Sequence, residues 1–92
     1  MNPRSFSRTA LIKNQRGLHA RAAAKFVKIA SDFEADINVS RSGQTVSGRS
    51  IMGLMMLAAA TGSEIRLDVE GVDAEAALDA VCALIDAKFD ED

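Results

Sequence analysis

Tryptophan and tyrosine are both missing from these 92 residues, which hold four phenylalanines, one proline, one histidine and one cysteine. With so few rings, the stacking platforms that single-stranded nucleic acid needs are scarce. A lone cysteine, Cys82, excludes an internal disulfide and any cysteine-cluster metal site. It lies in an apolar helical pattern and reads as a buried, inert thiol. No apolar run approaches the roughly 20 residues that cross a bilayer, and no signal-type apolar stretch opens the chain. Cytoplasmic residence is the expectation, with no membrane partner. Neither sign of charge dominates: 11 Lys and Arg face 13 Asp and Glu, for a net charge of −2. That balance speaks against nucleic acid as the main partner. Linkers, repeats and low-complexity stretches are also lacking. Residues 1–92 are therefore expected to form one domain, large enough for one modest core but not for a deep cleft.

What charge there is lies unevenly. Most of the basic residues fall between Arg4 and Arg49, and most of the acid in the C-terminal third. A basic face within an acidic protein suits docking onto acidic partners.

Phe6 to Lys13 reads as a first strand, and Asn14-Gln15-Arg16-Gly17 as a turn. From Ala20 to about Ala30, Ala23, Phe26, Val27 and Ala30 recur at helical spacing, with Lys25 and Lys28 projecting off that face. Ile37 and Val39 alternate with polar residues in a second strand, Ser42-Gly43 turns, and Thr45-Val46-Ser47 returns as a third. Ser50 then stands as an N-cap before a stripe of Ile51, Leu54, Met55 and Ala58, with Gly62 as the stop signal. Glu64 to Glu70 alternates apolar and charged residues without a fault, so one face of that strand is buried and the other wet. Asp73 is placed to cap a last helix carrying Ala74, Leu78, Val81 and Ile85 along one side. Asp90-Glu91-Asp92 reads as a frayed acidic end. The order β-α-β-β-α-β-α predicts an α+β fold in two layers, a four-stranded antiparallel sheet covered on one side by three helices.

Chemistry concentrates on His19, in Gly17-Leu18-His19-Ala20-Arg21. The first N–H groups of a helix lack internal partners and its macrodipole is positive there, so an anion is welcome. Imidazole is a competent nucleophile near neutral pH, and Arg21 offers forked donors to phosphate oxygens. An arginine in a first helical turn opposes the dipole, which hints at a compensating anion. The plainer reading is a histidine at a helix start with no chemical role. A metal site has too few ligands, and a catalytic triad lacks a nearby carboxylate. Ser50 has two compatible readings, a helix cap and a phosphorylation site whose added charge a helix N-terminus would stabilise. Ile51-Met52-Gly53-Leu54-Met55-Met56-Leu57 holds more apolar residues than one stripe can bury, so Met52, and with it Met55 or Ile51, is expected to face solvent.

Gly-Leu-His-Ala-Arg at 17–21 and Ser-Ile-Met-Gly at 50–53, with this spacing of strands and helices, closely resemble HPr, the histidine-containing phosphocarrier family of the bacterial phosphotransferase system. The resemblance spans essentially the whole chain. It implies an open-faced β-sandwich (βαββαβα) and a carrier with a phosphohistidine intermediate rather than a stand-alone catalyst. His19 takes the phosphoacceptor position, receiving the group on Nδ1 from enzyme I, itself charged by phosphoenolpyruvate, and passing it to an enzyme IIA domain. Arg21 takes the assisting position. Ser50 matches the serine modified by HPr kinase/phosphorylase. Ile51, Met52 and Met55 match the apolar docking patch, and Ala20 and Lys28 join them as partner-facing residues. No cofactor and no metal are implied, and a monomer is the family expectation.

Two features stand apart. The family usually has proline after the arginine, where this chain has Ala22. The Met-rich second helix and the Phe89-Asp90-Glu91-Asp92 ending look like the nitrogen-related variants of the family, whereas Ser50 points to a kinase-regulated form. The alternative from a different class is an interaction module that binds a partner enzyme through the methionine-bearing helix without phosphorylation.

Overall fold

The computed structural model describes residues 4–91. Four strands, β1 (Ser5–Leu11), β2 (Asp36–Arg41), β3 (Gln44–Ser47) and β4 (Glu64–Glu70), form one antiparallel sheet in the order β1-β4-β2-β3. The faultless alternation of β4 explains its central place. Ile65, Leu67 and Val69 go into the core, while β1 and β2 pair along its two edges. Ser42-Gly43 supplies the tight β2–β3 hairpin, with positive φ at both residues as a two-residue turn requires.

Helices α1 (Ala20–Ala30), α2 (Ile51–Met56) and α3 (Ala74–Asp86) cover one side of the sheet, as an open-faced sandwich. Helix α3 lies against β1 and β4, and α1 packs against both α2 and α3. The expected stripe of α3 is buried in full: Ala74, Leu78, Val81 and Ile85. On α1, Ala22, Ala23, Phe26 and Ala30 are buried and Val27 only partly so. Cys82 is a buried thiol, which burial pushes to a higher pKa. The uncovered face of the sheet is polar, with Ser7 and Arg66 both bonded to Asp68.

Four expectations are corrected. Strand β1 ends at Leu11 rather than Lys13, because Ile12 turns into the core and its backbone bonds the 62–63 corner. Helix α2 stops at Met56, well before Gly62. Leu57 is its C-cap, and Ala58 is exposed in left-handed backbone (φ 51°). Of the expected stripe only Leu54 is buried, since so short a helix makes less than two turns and Leu57 and Ala59 fill the core in its place. Asp73 stands at the N-cap position of α3 but makes no side-chain cap; its carboxylate accepts from the Glu34 N–H (2.8 Å), tying the α1–β2 loop to the β4–α3 corner. The acidic end is not frayed through Glu91. A one-turn segment, Lys88–Asp90, buries Phe89 completely and directs Glu91 back across the molecule. Asp92 lies outside the described residues.

Candidate functional site at the start of helix α1

Three segments meet at the mouth of α1: the 12–19 loop, the 57–63 loop and the C-terminal turn. Gly17 makes the first junction possible. Its φ is +66°, and a Cβ there would lie 2.4 Å from the Ala59 carbonyl oxygen and 2.9 Å from the Ala60 Cα. With no side chain in the way, the Leu18 N–H donates to that same carbonyl at 2.9 Å. Asn14 closes the turn by donating to the Gly17 carbonyl at 2.9 Å.

His19 is thereby held as the N-cap of α1, in extended backbone, with its carbonyl accepting from the Ala23 N–H. Its ring does the capping. Nδ1 accepts from the Arg21 N–H at 3.3 Å, a long bond that assigns the Nδ1 lone pair to the helix mouth. Nε2 then carries the proton and donates it to the Glu91 carboxylate. Asn14, fully buried, donates its second amide hydrogen to the other Glu91 oxygen at 2.9 Å. Its own side-chain oxygen has no partner among the described residues. The Asn14 amide, then the His19 ring and the Arg16 charge, hold the Glu91 carboxyl below the ordinary carboxylate range. The sign follows: this contact stabilises the fold fully above a free glutamate's pKa and is lost as pH falls through the depressed value.

Two clefts open near the helix mouth, and the second of them is lined by His19 itself. One, of about 350 Å³, is lined by Gln15, Arg16, Arg21, Lys25, Asp90 and Glu91. Arg21 is exposed there, and no carboxylate pairs with its guanidinium among the described residues. Lys25 crosses to the Phe89 carbonyl at 2.8 Å. The other cleft, of about 240 Å³, is lined by His19, Arg16, Leu18 and Ala58 to Ala60.

Ser50 lies on the neighbouring helix. Its Oγ accepts from the Gly53 N–H at 2.9 Å and caps α2, as its sequence position suggests. The apolar surface beyond it is larger than expected: Ile51, Met52 and Met55 are exposed and Met56 is too, at 64%. Ala20 and Lys28 are exposed near the two ends of α1. Glu91, Asn14, Arg16 and Lys25 escaped the sequence reading of the site. The usable signal was Phe89, an apolar residue in an acidic tail, which needs burial and so anchors its neighbours. Among the described residues no group of three or more His, Cys, Asp or Glu side chains is placed to hold a metal, and no helix is long and apolar enough to cross a membrane.

The family model described as "PTS HPr component phosphorylation site" matches residues 6–87, nearly the whole described chain and all of the His19 and Ser50 segments. The chain belongs to the HPr family of the phosphotransferase system. Phosphocarrier protein NPr of Shewanella violacea is 50% identical over 84 residues, covering 91% of this chain and 92% of that protein. Phosphocarrier protein HPr of Cupriavidus necator is 46% identical over 84 residues, covering 91% and 94%. The crystal structure of HPr-C-His from Thermoanaerobacter tengcongensis superimposes with a TM-score of 0.90 at 44% identity, covering 95% of this chain and 98% of that one. The HPr family accounts for the open-faced sandwich and for a phosphocarrier role in the phosphotransferase system. In this HPr-family chain Ala22, at the usual proline position, is fully buried in the first turn of α1, where alanine is a strong helix former.

Proposed function

We propose that this HPr-family protein carries a phosphoryl group on His19 Nδ1, taken from phosphorylated enzyme I and given to an enzyme IIA domain. The observation that carries this is the orientation of the ring: Nε2–H is committed to Glu91, and the Nδ1 lone pair is presented at a helix N-terminus. In the transfer, that lone pair attacks phosphorus while the donor's N–P bond breaks and its electron pair returns to the donor nitrogen. The Arg21 N–H, released from Nδ1, then faces a phosphoryl oxygen together with the other unpaired N–H groups of the first turn. The Arg21 guanidinium, with Arg16 and Lys25 in the same cleft, offsets the group's charge without enclosing it. No metal is required in the carrier's own site. Residues 1–92 act as one domain, a monomer in the cytoplasm, with no nucleic acid or membrane among its partners.

Partners dock on exposed Ile51, Met52 and Met55, with Ala20 and Lys28 on α1. Such small apolar patches with charged rims suit brief encounters. Ser50 regulates, as substrate of HPr kinase/phosphorylase. Ser50→Asp is expected to slow transfer from enzyme I about tenfold, because charge beside the docking patch repels an acidic partner surface. Initial rates at low salt check this, and an unchanged rate would remove the regulatory role. The founding test is intact-mass analysis after incubation with phosphoenolpyruvate, Mg²⁺ and enzyme I, drawn from both the sugar and the nitrogen-related branches. One acid-labile, base-stable phosphoryl group is the expected gain.

The exposure of four apolar side chains on the six-residue α2 favours a second reading, an interaction module that binds a partner enzyme without phosphorylation. A folded sample that gains no mass with several enzyme I homologues would favour it over the carrier.

A further inference from the structure

Glu91 lies 72 residues from His19 in sequence, yet its carboxylate meets the imidazole Nε2. Much of the C-terminal turn serves this contact. Lys88, Phe89 and Asp90 all have φ between 55° and 61°, a run of left-handed backbone that non-glycine residues avoid. Buried Phe89 and the Lys25 bond to its carbonyl hold that run in place. Asn14, which already closes the turn through the Gly17 carbonyl, aims its other amide hydrogen at the second Glu91 oxygen. The Glu91 side chain is only 16% exposed, and the His19 side chain 17%. A carboxylate so fixed is more than a surface ion pair.

We propose that Glu91 is a positioning residue for phosphoryl transfer, acting through His19. Resting on the carrier reading above, it has a defined task. Before transfer the carboxylate keeps the proton on Nε2, so the lone pair is on Nδ1. As the Nδ1–P bond forms, the ring keeps that proton and acquires a positive charge, which the carboxylate offsets. On onward transfer the Nδ1–P bond breaks, its electron pair returns to Nδ1 and the ring is neutral again. Every atom and charge is accounted for by the donor, the ring and the acceptor. The other charged groups facing this pair are Arg16 from the loop, Arg21 and Lys25 from α1, and Asp90 from the turn; the 58–60 loop contributes only alanines. The three cations line the same cleft as Asp90 and Glu91, and it is the Glu91 carboxylate that meets Nε2.

The test compares full-length wild type with Glu91→Gln and Glu91→Ala. Glutamine removes the charge and keeps one carbonyl oxygen, which can accept from His19, while its NH2 group replaces the oxygen that Asn14 bonds. The expected result with phosphorylated enzyme I is a kcat about tenfold lower for Glu91→Gln, with KM within twofold of wild type, and a larger kcat loss for Glu91→Ala. By ¹⁵N–¹H NMR, wild type is expected to show a solvent-protected Nε2–H on His19, kept by Glu91→Gln and lost in Glu91→Ala. Phosphorylated wild type with both variants matching its kcat within twofold would overturn this role and leave the carrier reading standing. So would a wild-type ring whose proton is on Nδ1. A wild type that takes no phosphoryl group under any donor would remove the carrier reading, and this role with it.

Discussion

His19→Ala gains no mass when incubated with phosphoenolpyruvate, Mg²⁺ and an enzyme I that adds one phosphoryl group to the wild type. The expected loss is complete, because the described site offers no substitute. His19 is the sole histidine of the chain, and the clefts beside it otherwise present arginine, lysine, glutamine, carboxylates and alanine. None of these is a nucleophile of comparable strength near neutral pH. The fold should survive. The ring is a half-buried cap rather than core, so its removal costs on the order of 1 kcal/mol, the usual effect of losing an N-cap. An unchanged far-UV spectrum together with the missing mass gain separates lost chemistry from lost structure. A His19→Ala sample that still passed phosphate to an enzyme IIA domain would end the assignment.

Phe89→Ala is the second large effect, and it lies outside the histidine's own segment. Phe89 is fully buried, and truncating such a ring costs about 3–5 kcal/mol. The side chain also compensates for unfavourable backbone around it. Three consecutive left-handed residues are each disfavoured by roughly 1–2 kcal/mol, and with the ring gone the Lys25 and Glu91 contacts and two backbone hydrogen bonds are left to oppose relaxation of the turn. Urea unfolding is expected to show a lower midpoint. Glu91 should leave His19 at the same time, so the Nε2–H signal of the imidazole fades even in fully folded protein. A destabilisation below 1 kcal/mol with the Nε2–H signal intact would show that the turn holds itself.

The layers were legible because they rest on periodicity. Alternation in β4 and the apolar stripe of α3 are local patterns, and both took up the burial they imply. His19, Arg21 and Ser50 were legible for a related reason, since helix starts advertise themselves in sequence. What could not be read was any contact between distant segments. Helix α2 ends early because Ala59 must reach Leu18, which no spacing within α2 reveals. Asp73 looks like a cap and is recruited by Glu34 instead, a partner 39 residues away. Glu91 reads in sequence as part of a frayed acidic end, since chain ends without an evident anchor usually fray. The contrary hint was the hydrophobic ring two residues before it, whose weight shows only once there is a cavity to receive it.

Four strands and three helices among the described residues lie before residue 87, while Phe89 and Glu91 reach back to the core and to the histidine from beyond them. One short turn thus answers to two demands at once. A protease cut within residues 88–91 would strike the packing of the core and the hold on the imidazole together.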